Sequence, residues 1–198
     1  MTEILMNGTV LKTPEFSHEC MGEKMYYFDL GVDRVSNNTD IIPCYIPKVF
    51  VDQLEDDMRI SVTGEIRTTN YSDDGGNKHL KVYVFVKSIE EYDGEDFQEV
   101  YINGYVCRDT IYRKTPLGRE ITDLLVASHR ERSPKSDYIP CIAWGRNALR
   151  SSKLKIGQHI EIVGRFQGRE YSKTLEDGTK EIRTAYEVSA QSFVELDD

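Results

Sequence analysis

Asp137-Tyr138-Ile139-Pro140-Cys141-Ile142-Ala143-Trp144-Gly145 decides how this chain is read. Side chains on a strand alternate between faces, so Ile139, Cys141 and Ala143 point one way. They are small and apolar and suit a core. Tyr138, Pro140, Ile142 and Trp144 point the other way and put two flat rings, one of them the only tryptophan, on the outer face. A core strand with rings outside is a platform on which unpaired bases stack. The competing reading is a surface that merely covers a sheet or a subunit contact.

The flanking stretches weigh on that choice. Upstream lie Val100-Tyr101-Ile102-Asn103-Gly104-Tyr105-Val106 and Arg113-Lys114-Thr115-Pro116-Leu117-Gly118, followed by an apolar run from Ile121 to Ala127. Downstream, Leu154-Lys155-Ile156-Gly157 leads into Ile160-Glu161-Ile162-Val163-Gly164-Arg165 and then Gly168-Arg169-Glu170-Tyr171. The ordered set resembles the bacterial single-stranded DNA-binding protein family over about Val100 to Leu196. The resemblance implies an all-β fold with short helices, built as an oligonucleotide-binding (OB) five-stranded Greek-key barrel, and single-stranded DNA as the partner.

The pattern occurs twice. Asn7-Gly8-Thr9-Val10 answers Asn103-Gly104-Tyr105-Val106, and Ile42-Pro43-Cys44 answers Ile139-Pro140-Cys141. Val62-Thr63-Gly64-Glu65 answers Ile162-Val163-Gly164-Arg165, and Tyr71-Ser72 answers Tyr171-Ser172. The spacing grows slowly along the chain, as small loop insertions make it grow. The expectation is two tandem five-stranded OB barrels: residues 1–91, an acidic link 92–96, and residues 97–198. A link that short leaves the two domains touching.

In the first copy the expected strands run from Glu3 to Leu11, Lys24 to Val32, Ile41 to Ile46, Met58 to Arg67 and His79 to Ile89. Tyr26, Phe28, Leu30 and Val32 form the core side of the second. Lys48 to Glu55 reads as a short amphipathic helix started by Pro47. In the second copy Arg146 to Lys153 takes that place.

Charge divides unevenly. The net charge of −9 comes from 25 basic and 34 acidic residues. Residues 1–96 hold 9 of the basic and 19 of the acidic ones, which leaves the second half near neutral and the better candidate for a polyanion. No apolar stretch is long enough for a membrane span, and the start lacks a signal peptide's pattern, so a cytoplasmic protein with no membrane partner is expected. Cys20, Cys44, Cys107 and Cys141 are too scattered for a zinc site or a disulfide framework.

The resemblance assigns base stacking to the start and end of the third strand and to the hairpin between strands four and five. Those positions carry Tyr138, Trp144 and Tyr171. A fourth aromatic of the family, between strands two and three, is replaced near Glu131, where Arg130, Arg132 and Lys135 are candidates for phosphates. Arg146, Arg165, Arg169 and Lys173 extend the cationic set. The first copy has Ile41 and Pro47 in place of Tyr138 and Trp144 and keeps only Tyr71, beside Asp73 and Asp74. It is expected to complete a pseudo-dimer more than to hold DNA. The family's acidic tail with a Pro-Phe tip is missing after the last strand, which implies a relative without that recruiting role. Two barrels per chain suggest a homodimer with four OB domains, and replication or recombination proteins as further partners.

No phosphate loop, His-x-x-x-His pair or nucleophile elbow is present, so no catalytic residue, metal or cofactor is assigned. Two rival classes remain. One is a primosome-like protein-assembly module that keeps the fold with weak or no DNA binding. The other is a metal-dependent nuclease, for which only Asp56-Asp57 and Asp73-Asp74 speak.

Overall fold

The computed structural model describes every residue except 74, 132, 175–177 and 197–198. Arg132, Asp74 and the tip of the second long hairpin therefore lie outside the described residues.

The first half lays down β1 (Thr2–Val10), β2 (Glu15–Cys20), β3 (Glu23–Asp33), β4 (Thr39–Pro47), β5 (Arg59–Ser72) and β6 (Lys78–Glu91). The second half repeats the plan as β7 (Phe97–Val106), β8 (Ile111–Lys114), β9 (Glu120–His129), β10 (Ser136–Trp144), β11 (His159–Thr174) and β12 (Lys180–Glu195). Each half has one strand more than the sequence reading. The extra strands are the short ribbons β2 and β8, too polar on both faces to show an alternation.

Alternation places the core as expected. Phe28, Leu30 and Val32 on β3, Ile42, Cys44 and Ile46 on β4, and Val82, Val84 and Val86 on β6 are buried. Their counterparts are Leu124 and Val126 on β9, Ile139, Cys141 and Ala143 on β10, and Val188 on β12. Each half closes on itself through matching pairs. β1 meets β3 at Thr9–Gly31, and β7 meets β9 at Tyr105–Ala127. Strand β4 runs parallel to β6 as β10 does to β12. Closure needs a close approach of backbones. A side chain at Gly8 would run into the carbonyl oxygen of Gly31, and one at Gly104 into that of Ala127, so only glycine fits either place. These are the two barrels that the repeat predicts.

The barrels are not separate sheets. Strands β1 and β7 pair antiparallel from Thr2–Ile102 to Asn7–Phe97, so all twelve strands hydrogen-bond into one ladder. Two OB barrels thus share an edge that each would otherwise expose. The link is pinned as well: Arg59 donates to Gly94 O at 2.6 Å and pairs with Asp96 at 2.5 Å.

Helical pieces differ between the halves. Residues Lys48–Gln53 form a 3-10 helix, none of it fully buried, where an amphipathic α-helix was expected. In the second half α1 (Arg146–Ser151) buries Ala148 and Ser151, and Thr122 Oγ1 donates to Ala148 O at 2.8 Å.

Candidate nucleic-acid interface

Strands β5 and β6 form one long hairpin, and β11 and β12 its counterpart. The two hairpins and the ribbons β2 and β8 enclose an open cleft of roughly 1480 Å³ between the halves. The first half lines it with Phe16, Tyr27, Tyr45, Tyr71, His79 and Lys81. The second contributes Arg108, Arg113, Arg169, Tyr171, Arg183 and Tyr186. Rings thus come mainly from one side and arginines from the other.

Strand register explains the division. On β3, β4 and β6 the outward positions Tyr27, Tyr45, Phe85 and Tyr83 are cross-strand neighbours, because Tyr27 pairs with Tyr45 and Tyr45 with Phe85. The same places in the second half hold Asp123, Ile142, Ser189 and Glu187. Tyr45 is the hub of the aromatic face. Its ring centroid lies 5.3 Å from Tyr27, 4.7 Å from Tyr83 and 5.7 Å from His18. The Lys81 ammonium stands 4.7 Å over that ring and also donates to its hydroxyl. Burial, then the hydrogen bond to Asp29, push the Tyr27 phenol far above its ordinary value, so it stays neutral. The positions matching Tyr138, Trp144 and Tyr171 hold Ile41, Pro47 and Tyr71 in the first half, and its other rings meet only once the register is known. The one available signal was the density of Tyr and Phe between Lys24 and Val32.

The predicted residues fall into three groups. Tyr171, 39% exposed, and Tyr71, 51% exposed, both line the cleft, with Arg169 two positions from Tyr171. Tyr71 stacks on His79 with centroids 5.2 Å apart and planes at 25°. The acidic neighbour that argued against Tyr71 is occupied internally. His79 Nε2 lies 2.9 Å from Asp73 Oδ2, and Asn77 binds the same carboxylate through its backbone at 2.8 Å and its side chain. His79 first, then Asn77, hold that carboxyl well below the usual range.

A second group stands on the outer face of β10 but outside the lining of the cleft. Tyr138 is exposed, and its backbone N–H donates to Thr68 Oγ1 at 3.0 Å. Trp144 is half-buried, and its indole N–H donates to Ser189 Oγ at 3.1 Å. Ile142, read as outward-facing, is only 1% exposed. Asp123 with Arg113 fills one side of it, and Ser189 with Trp144 the other.

The third group is the cations. Arg130 makes a two-pronged pair with buried Asp137, at 2.7 and 2.6 Å, and reaches Thr68 O at 3.1 Å. Arg165 binds buried Asp40 at 2.7 Å. Both guanidiniums thus reach across between the halves, and a buried carboxylate already holds each, which weighs against the expectation that they hold phosphates. Lys135 and Arg146 are exposed away from the cleft lining, and Lys173 is partly exposed near the hairpin end. In the cleft, Arg113 pairs with Asp123 at 2.8 Å, Arg169 with Glu187 at 3.4 Å and Arg183 with Glu181 at 2.8 Å.

Asp56 accepts hydrogen bonds from Thr13 and Asp73 from Asn77, so these two acids fix turns. Among the described residues no three His, Cys, Asp or Glu side chains converge as metal ligands. Burial pushes the Cys44 and Cys141 thiols up, as befits core residues. Among the described residues no helix is long and apolar enough to cross a membrane.

The chain is similar over its whole length to the wild-type single-stranded DNA binding protein from Thermus aquaticus, at 20% identity. That match covers 94% of the other chain with a TM-score of 0.78. A deletion mutant of the same protein matches at 21% identity over 100% of this chain and 96% of that one, with a TM-score of 0.75. At such identities the likeness establishes the fold. No curated protein matches the chain. Residues 97–196 match the model of the single-strand binding protein family, the stretch that begins with β7 and ends after β12. Tandem OB barrels, an aromatic cleft and that match agree, and the chain belongs to the single-strand binding protein family.

Proposed function

We propose that this chain binds single-stranded DNA in the cleft between its halves and performs no chemistry on it. Bases stack on Tyr71 and Tyr171 while Arg108, Arg113, Arg169 and Arg183 meet phosphates. The observation that carries the reading is the pairing of Tyr71 and Tyr171. Each is exposed at the same strand position of its half, and both face one cleft. Stacking on such rings is worth about 1–3 kcal/mol per base and tolerates any sequence, because every base has a π-face. Trp144, Tyr138 and Lys173 extend the path along the second half. The chain works as two domains, residues 1–91 and 97–198, joined by residues 92–96, and serves replication, recombination or repair.

Titration of fluorescent oligo-dT at low salt tests this, followed by measurement of strand length with and without magnesium. Tight binding to a strand that stays intact supports the reading, and a shortened strand would make the protein a nuclease. No binding would favour the assembly module. That rival draws on three of the cleft arginines, Arg113, Arg169 and Arg183, which already have carboxylate partners.

Two chains pair to give four OB domains. The outer face of the sheet around β1 and β7 carries exposed Leu5, Phe97 and Val194, an apolar surface that a second copy would cover. Light scattering that gives a 22.8 kDa monomer at micromolar concentration would end that idea.

A further inference from the structure

We propose that a second base-binding pocket, shared between the halves, lies behind the cleft, where Tyr83 and Phe85 face the loop between β9 and β10. It rests on the reading of the chain as a binder of single-stranded DNA. What it adds is a subsite at positions where the repeat places none.

The loop between β9 and β10 carries Glu131 and Ser133 and leans across onto the first half. Lys87 Nζ lies 3.5 Å from Glu131, and Arg130 donates to Thr68 O. Between the loop and the first half opens a pocket of about 270 Å³. Its first-half walls are Tyr83, Phe85, His18 and Arg67, with Tyr45 at the back. The Arg67 guanidinium stands 5.6 Å from the centre of the Phe85 ring. The second half thus lacks a ring of its own in this loop, and the first half supplies rings to it across the interface.

Charge selects the occupant. Arg67 pairs with Glu65, and Arg130 with Asp137, so the pocket offers donor edges without net positive charge. A phosphate finds little there, whereas a neutral flat ring finds π-faces and hydrogen-bond donors. The occupant that fits is one unpaired nucleobase. Tyr83 and Phe85 are only half-buried, so each keeps some ring surface open, although Arg67 stands over one face of Phe85 and Tyr45 meets Tyr83 edge-on. Tyr45, itself buried, is a wall common to this pocket and the main cleft, so the two spaces are neighbours. The pseudo-symmetric place offers no such rings, because Glu187 and Ser189 stand where Tyr83 and Phe85 do. Each chain therefore has one such pocket.

The test uses the full chain, oligo-dT and the variants Tyr83→Leu, Phe85→Leu and Tyr83→Phe, with thermal melts to confirm folding. Leucine keeps the apolar bulk and removes the π-face. Tyr83→Leu and Phe85→Leu are expected to weaken binding by about tenfold each, with Tyr83→Phe near wild type. Ultraviolet cross-linking of oligo-dT to the wild-type chain, mapped by mass spectrometry, is expected to label the peptide holding Tyr83 and Phe85. Should a leucine variant fail to fold, the cross-link alone decides. Wild-type binding that both leucine variants retain, with no cross-link at this peptide, overturns the pocket and leaves the cleft standing. Failure of the wild-type chain to bind oligo-dT overturns the cleft reading, and the pocket with it.

Discussion

Ile4 stands directly opposite Val100 in the ladder between β1 and β7, and each is the other's counterpart in the sequence repeat. An antiparallel pair in which equivalent residues face each other has a local two-fold axis between them. The chain therefore reproduces within itself the self-complementary contact of a dimer. The same symmetry relates two buried carboxylates, Asp40 and Asp137, at the second position of β4 and β10. Asp40 binds Arg34 of its own half and Arg165 of the other. Asp137 binds Arg130 of its own half and the backbone N–H of Thr68 in the other, at 2.6 Å.

Removal of either carboxylate takes the ionic partner from half-buried arginines. Asp137→Ala is expected to destabilise the chain by about 3–5 kcal/mol, and Asp40→Ala by a comparable amount. Urea denaturation measures both. A loss below about 1 kcal/mol for either would mean that the clamp does not hold the halves together.

The Asp73 carboxyl is depressed in the folded state by His79 and Asn77. A depressed folded value contributes stability above the unfolded value and loses it only as pH falls through the folded one. An NMR titration is expected to give Asp73 a clearly lower midpoint in the wild-type chain than in the variant His79→Ala. Equal midpoints would mean that His79 does not hold the hairpin tip.

The pairs that neutralise the cleft arginines restrain binding. Glu181 is half-exposed and holds Arg183 at 2.8 Å, so a phosphate must displace it. Glu181→Gln is expected to tighten oligo-dT binding at low salt by about two- to fivefold, the scale of an exposed ion pair. The variant should also steepen the salt dependence, because one more cation is free to release counterions. Unchanged affinity would place the strand away from Arg183.

Much of this was legible beforehand, for physical reasons. The core faces of β3 and β10 follow from period-two alternation, and the repeat from four short matches in the same order. The joining of β1 and β7 left no mark, because edge pairing uses backbone groups that every residue has. Arg130 and Arg165 read as surface cations, since their buried partners Asp137 and Asp40 look in sequence like any loop-side acid. The rings of Tyr27, Tyr45, Tyr83 and Phe85 belong to three strands, and only the register assembles them.

The last prediction concerns which rings hold DNA. Sequence alone favours Trp144, the largest ring, and sets Tyr71 aside beside its acids. The structure reverses the weights. Trp144 spends its N–H on Ser189 and is half-buried, so part of its ring is already in contact with protein. Tyr71 and Tyr171 keep exposed rings in one cleft, and the Asp73 charge beside Tyr71 is met by His79 and Asn77. Tyr71→Ala and Tyr171→Ala are therefore expected to weaken oligo-dT binding alike, each by about tenfold. Trp144→Ala should cost less binding and more stability, about 1–2 kcal/mol in denaturation, a fraction of the cost for a fully buried ring. The comparison needs melts of all three variants, so that lost binding is not mistaken for lost folding. A large loss for Trp144→Ala in a stable protein, with Tyr71→Ala near wild type, would return the DNA to the outer face of β10. Equal losses at the two tyrosines would fix its path between the halves, where the aromatic wall of one meets the arginines of the other.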